Sequence, residues 1–379
     1  MLKIHRFPRL AAIASALALA IAPACLNADT FTQTDLVSDV SGLAANTDPN
    51  LKNPWGVSFS ATSPFWASDQ ATGVATLYGA TGVPVALVVT IPGSSNGPSG
   101  PTGQVFNSSS GFLLTNGNGQ KATFIFDNLN GIISGWNGGT TAVVQATGPA
   151  GAVYTGLAQG TSAIGSVLYA ANSGASPGIN VFNSSFAPAT LSGNFTDPNL
   201  PAGFVPFNIQ NLNGNIYVTY ELLNPKGGLM PGGIVDEFDS NGNFIKTIAS
   251  NGALGPLFAP WGIVFAPPSF GSYSNDLLIG NFGNGEIDVY DPTTDAFLGT
   301  LDGNDGVPLV NGALWALETR APGGTFDPNA VYFTAGINDE ADGLFGEITL
   351  APEPATIIET ATGVIALAFA GLRRRFSSV

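Results

Sequence analysis

From about residue 29 to residue 350, short runs of β-branched and aromatic residues alternate with clusters of Gly, Pro, Asn, Ser and Thr. Val85-Ala-Leu-Val-Val-Thr, Ala122-Thr-Phe-Ile-Phe, Asn215-Ile-Tyr-Val-Thr-Tyr and Glu286-Ile-Asp-Val-Tyr are of strand length. Turn-forming pairs stand among them: Asn116-Gly117, Asn118-Gly119, Asn213-Gly214, Asn241-Gly242 and Asn284-Gly285. Such residues favour pleated, half-buried surfaces bounded by tight turns. No segment keeps a 3.6-residue apolar period, so the pattern predicts an all-β domain. A Gly- and Pro-rich chain can be disordered, but 44% hydrophobic residues with 25 Phe imply a packed core.

The strands recur in register. Asn53-Pro-Trp-Gly-Val-Ser-Phe returns as Ala259-Pro-Trp-Gly-Ile-Val-Phe, with weaker copies at Gly100-Pro-Thr-Gly, Val153-Tyr-Thr-Gly, Val205-Pro-Phe-Asn and Asn311-Gly-Ala-Leu-Trp-Ala. With Gly56, Gly103, Gly156, Asn208, Gly262 and Leu314 taken as equivalent, the steps are 47, 53, 52, 54 and 52 residues. A second and third strand follow each copy, and often a fourth, such as Phe244-Ile-Lys-Thr-Ile. Six such units at about 50 residues predict a six-bladed β-propeller, with a β-sandwich as the alternative. The strand Phe31-Thr-Gln-Thr-Asp-Leu-Val precedes the first unit, and the last unit stops at its third strand, Gly346-Glu-Ile-Thr-Leu. The N-terminal strand is therefore expected to complete blade six and hide the open edge.

Both ends read as addresses. Lys3, Arg6 and Arg9 precede an apolar stretch from Leu10 to Ala22, with small residues at Ala24 and Ala28, the pattern of a cleaved secretory signal over residues 1–28. Cleavage after Ala24 and lipidation at Cys25 are alternatives. At the other end, Pro352-Glu353-Pro354 leads into the run Ala361–Leu372 and then Arg373, Arg374 and Arg375. The arginines would stay cytoplasmic, leaving everything before them outside. Residues 351–379 resemble the PEP-CTERM sorting tail of Gram-negative bacteria. That resemblance implies transient inner-membrane anchoring, release by a membrane exosortase, and delivery to the outer surface or extracellular matrix. An ordinary anchor helix is the alternative, though twelve apolar residues make a poor permanent span.

Between these ends lies a body, residues 29–350, without histidine or cysteine, since His5 and Cys25 both fall in the signal. Triad catalysis, a thiol nucleophile, a histidine zinc site and disulfides are excluded there. The body has five basic residues (Lys52, Lys121, Lys226, Lys246, Arg320) and 24 of the 26 acidic ones, a net −19. Such a surface repels nucleic acid.

In its repeats and ends the chain resembles a family of exported six-bladed propellers, related in style to NHL-repeat propellers, that often carry PEP-CTERM tails. Asn53-Pro-Trp-Gly, Gly280-Asn-Phe-Gly-Asn-Gly-Glu-Ile and Phe333-Thr-Ala-Gly-Ile-Asn-Asp-Glu-Ala-Asp-Gly bear the resemblance. It implies fold and export but no activity. Candidate chemistry sits after the second strand of successive repeats, at Asp69, Asn116, Asn172, Glu221 and Asn281. Oxygen ligands of this kind suit Ca²⁺, although Asn and Asp at strand ends also cap turns. Asp302-Gly-Asn-Asp-Gly and Asn338-Asp-Glu-Ala-Asp-Gly resemble calcium loops in composition but lack their spacing. Trp55, Trp261 and Trp315 occupy repeat positions and are expected to pack, while Trp136 is a candidate surface contact. These features favour a surface-sorted binding or matrix-associated protein whose partners include exopolysaccharide. A calcium-dependent, lactonase-like hydrolase and a purely structural matrix component are the alternatives.

Overall fold

The repeats fold as six antiparallel sheets, seen in a computed structural model that describes residues 29–93, 100–252 and 255–352. Blade 1 runs outward through Pro54–Ser58, Phe65–Asp69, Val74–Tyr78 and Val89–Thr90, and blade 2 through Pro101–Phe106, Phe124–Asn128, Ile132–Trp136 and Val143–Thr147. Blade 3 has three strands, Tyr154–Ser162, Gly165–Asn172 and Gly178–Asn183. Blade 4 holds Phe204–Leu212, Asn215–Leu223, Leu229–Phe238 and Phe244–Asn251; blade 5 holds Pro260–Phe265, Leu277–Asn281, Ile287–Tyr290 and Phe297–Thr300. Each inner strand touches the next, and that of blade 6, Leu314–Thr319, returns to Pro54–Ser58. The ring closes with the expected six blades.

Blade 6 continues through Val331–Ala335 and Leu344–Leu350, and the N-terminal strand Phe31–Ser38 is its fourth. Phe31 faces Leu350 and Ser38 faces Leu344 in antiparallel register, with a bulge between Asp35 and Val37. This is the expected closure, and it pairs the edge that Leu344–Leu350 would otherwise expose. The loop at Asp302 clamps the start of that strand, because its carbonyl accepts from the Phe31 N–H at 2.8 Å.

Two local devices bring the inner strands to the axis. The residue before the inner strand is left-handed in three blades, at Asn53 (φ 45°), Ala259 (φ 49°) and Ala313 (φ 50°). Close approach then demands a small residue: a Cβ on Gly56 would lie 2.6 Å from the Thr102 carbonyl oxygen, and one on Gly262 2.5 Å from that of Trp315. Apolar clusters fill the gaps between blades, as where Phe31, Phe270, Leu278, Leu317 and Phe333 meet. Burying each such side chain is worth about 1.5–3 kcal/mol.

The structure corrects some details. The axis residue of blade 6 is Ala316, two beyond Leu314, because Leu314 pairs with Ala335 as Pro260 pairs with Asn281. In blade 1 the run from Val85 narrows to Val89–Thr90, with Val85 exposed. In blade 3 a fourth strand is reduced to a bridge between Phe182 and Pro188, where the proline ring allows no ladder. Among the described residues there is no α-helix, only the 3-10 turn Gly271–Tyr273. The expected signal over 1–28 lies outside the described residues, as do Glu353, Pro354, the apolar run and Arg373–Arg375.

Candidate functional site

Each inner strand starts beside the end of its second strand and finishes at the hairpin joining the two. Pro54 pairs with Asp69 and Ser58 with Trp66; Leu314 pairs with Ala335 and Thr319 with Val331. The channel thus has a strand-entry end and a hairpin end, with different chemistry.

Aromatic rings close the entry end. Trp55 and Trp315 stack at 3.6 Å, Trp261 meets both edge-on at 6.3 and 5.8 Å, and Phe282 lies 4.2 Å from Trp315. The tryptophans are packing residues, as expected. Trp136 also packs, lying 4.8 Å from Trp66 with its indole N–H donating to the Gly139 carbonyl, and it stays half-buried.

Four of the predicted metal set, Asp69, Asn172, Glu221 and Asn281, stand at this end, in unequal positions. Asp69, Asn172 and Asn281 pair with Pro54, Tyr154 and Pro260, and are equivalent. The blade 2 equivalent is Asn128, opposite Pro101, whereas Asn116 is an exposed turn residue whose amide donates to the Val144 carbonyl. Glu221 lies one residue past the blade 4 equivalent, Tyr220, so the strand pleat turns it to the other face. Burial pushes its carboxyl up to about 7. Asn172 and Asn281 spend their amides on the backbone at Val153, Gly174 and Ser176, and at Phe258, with Asn281 also donating to Asp288. Asp69 accepts from Thr76 at 2.7 Å through one oxygen, and burial holds its carboxyl well above the usual range. No hydrogen bond joins any two of the five, and among the described residues no three His, Cys, Asp or Glu side chains converge as metal ligands do. At Asn338–Glu340 three successive residues are left-handed, and Glu340 accepts from the Asn53 side-chain amide, whose Oδ1 in turn accepts from the Trp315 indole N–H.

The hairpin end is open. Strand periodicity brings the residue two beyond each axis position back toward the channel, and in blades 1, 4 and 6 these are Ser58, Gln210 and Glu318. With Phe59, Gln104 and Phe106 they line a cavity of about 410 Å³, within the roughly 300–1,000 Å³ of small-molecule sites. Below it the channel narrows to about 20 Å³ against Trp261, room for about one water. Gln210 Nε2 donates to Glu318 Oε1 at 3.1 Å, reaching from blade 4 to blade 6 past blade 5. Glu318 Oε2 and Gln210 Oε1 have no protein partner among the described residues. Gln104 has no such freedom: its amide donates to the Gly56 and Trp66 carbonyls and its oxygen accepts from Ser58.

Among the described residues no cation offsets Glu318. The nearby Arg320 is caged by Phe59, Phe65 and Phe326, its guanidinium 4.3, 4.9 and 3.8 Å from their centroids. Its N–H groups donate to the Ser60 and Ser63 carbonyls. Burial therefore pushes the Glu318 carboxyl up to about 8, opposed only by the Gln210 bond. In its protonated form it can donate one hydrogen bond and accept another. The sequence contains a signal for this site: once Ala316 replaces Leu314 as axis residue, Glu318 falls level with Gln210 and Ser58.

No family model matches the chain. The uncharacterized protein R648 of Acanthamoeba polyphaga mimivirus is 31% identical over 330 residues, 83% of this chain and 78% of that protein. The uncharacterized protein L690 of the same virus is 28% identical over 330 residues, 83% of this chain and 84% of that protein. Among solved structures, a glucose dehydrogenase superposes with a TM-score of 0.51 at 13% identity, covering 84% of this chain and 100% of that one, a likeness of fold alone.

Proposed function

This chain belongs to the family of the mimivirus protein R648, and we propose that it is an exported, surface-sorted propeller that binds a matrix component at its open channel mouth. The observation that carries the binding role is the Gln210–Glu318 pair, whose free oxygens face a cavity closed below by tryptophan. The sorting role rests on the tail, in which Pro352-Glu353-Pro354, an apolar run and Arg373–Arg375 follow one another in order. In this proposal the propeller spans residues 29–350. A signal over residues 1–28 starts export, the tail holds the protein briefly in the inner membrane, and an exosortase-type enzyme releases it to the surface of a Gram-negative cell.

Cell fractionation of two variants tests both parts. Changing Pro352, Glu353 and Pro354 to alanine should leave export intact and trap uncleaved protein in the membrane fraction. Changing Gln210 and Glu318 to alanine should leave sorting intact but shift the protein from the matrix pellet to the soluble medium. Unchanged release of the first variant would refute the sorting role. Unchanged matrix retention of the second, with folding verified by its melting profile, would refute binding at the mouth.

A further inference from the structure

We propose that the channel mouth and the cleft beside it form one groove for an uncharged oligosaccharide chain, with Gln210 and Glu318 holding its hydroxyl groups at the axis. This deepens, and rests on, the binding role proposed above.

Continuity comes first. A second cavity, of about 360 Å³, adjoins the mouth and shares Ser108, Gln159 and Asn211 with it. It runs outward past Thr161, Ser166 and Gly214, over blades 3 and 4. A site extended in one direction suits a chain better than a single small molecule.

Chemistry comes second. Apart from Glu318, no charged side chain among the described residues lines either cavity. A phosphate, sulfate or uronate would find no Lys or Arg there, in a body of net charge −19. Amides and hydroxyls both donate and accept, as the hydroxyls of a neutral sugar require. Gln159 keeps one amide hydrogen free after donating to Asn107 at 2.7 Å. Phe59 and Phe106, half-buried at the mouth, offer apolar surface for the C–H face of a sugar ring.

Protonation comes third. With its carboxyl pushed up to about 8, Glu318 presents a donor beside the Gln210 acceptor at neutral pH. Ionisation would remove that donor and leave a bare charge facing the ligand. A polyamine is the opposite case, since it would need the ionised carboxylate.

The full chain, held in a detergent without a sugar headgroup, would be applied to an array of neutral, sulfated and uronate glycans. The best neutral hexasaccharide, its disaccharide and spermidine would then be titrated by calorimetry. Neutral glycans should bind and charged ones should not. The hexasaccharide Kd should rise about tenfold from pH 7 to pH 9, because only the protonated fraction binds. Glu318→Gln should bind the hexasaccharide with a Kd that no longer changes between pH 7 and pH 9. Thr161→Trp, on the exposed cleft wall, should weaken the hexasaccharide at least tenfold and leave the disaccharide unchanged.

Spermidine binding that tightens with pH, without neutral-glycan binding, would overturn the ligand class while leaving the mouth as the site. A hexasaccharide that binds Gln210→Ala/Glu318→Ala as well as the wild type would overturn both proposals. Failure of every neutral glycan, or indifference of a folded Thr161→Trp variant to hexasaccharide length, would overturn the extended groove.

Discussion

At the residue scale, the buried carboxyls give the fold a pH dependence of definite sign. Asp127 accepts from Thr102 at 2.8 Å and from the Gly103 N–H at 2.6 Å, yet burial still pushes it up to about 7. Asp236 is likewise pushed to about 7 by burial, against a bond from Thr247. Each raised group binds a proton in the folded state that the unfolded chain, titrating near 3.9, has already released. Stability should therefore fall as pH rises from about 4 to 7. Carboxyls that hydrogen bonds hold low, such as Asp239 and Asp291, act only at more acid pH. Calorimetry should show a higher melting temperature at pH 5 than at pH 8. Asp127→Asn keeps the acceptor for Thr102 and Gly103 without the charge, so it should raise the pH 8 value and narrow the gap. Each pKa unit removed is worth about 1.4 kcal/mol. Arg320→Lys tests a second packing device. The ammonium keeps the charge but loses planar contact with Phe59 and Phe326 and the forked donation to Ser60 and Ser63. A loss of about 1–2 kcal/mol is expected in urea denaturation.

At the element scale, closure of the ring rests on one strand from the other end of the sequence. Deleting residues 29–40 removes Phe31–Ser38 and bares the ladder edge of Leu344–Leu350. The deletion should lower the melting temperature and promote aggregation visible by light scattering; an unchanged melt would mean that this pairing adds nothing. Such elements are legible because Pro-Trp-Gly and Asn-Gly signals recur at the period of a blade. The site is less so, since placing a side chain on an axis requires register to the residue. Anchoring the last unit on Leu314 hides Glu318, because a two-residue offset moves it out of line with Gln210. Asn116 is favoured over Asn128 for a related reason: the two Asn-Gly pairs at 116–119 mimic a strand-ending turn, whereas the second strand begins only at Phe124. Tryptophan packing is foreseeable from repeat position, but the cage around Arg320 joins blade 6 to a blade 1 loop and leaves no mark in local pattern.

At the scale of the whole molecule, a body of net −19 repels itself more when folded than when expanded. Among the described residues, ion pairs offset little of this: Lys52 with Asp39 and Asp342, and Lys246 with Asp295. Added sodium chloride should screen the repulsion and raise the melting temperature, most steeply below about 0.1 M, where the screening length exceeds about 10 Å. A flat response would place the excess charge too far apart to matter. The closing strand has a mechanical meaning as well. Were the tail the tether, tension would enter the fold at Leu350, with Phe31–Ser38 on one flank and Val331–Ala335 on the other. Drag along that strand would load both ladders in shear, many hydrogen bonds resisting together. Opposite pulls on residues 30 and 351, which share a hydrogen bond of 2.9 Å, would instead part the first ladder rung by rung like a zip. The segment that completes the last blade would thus also brace the fold at the point where the tail leaves it, for as long as the tail holds it.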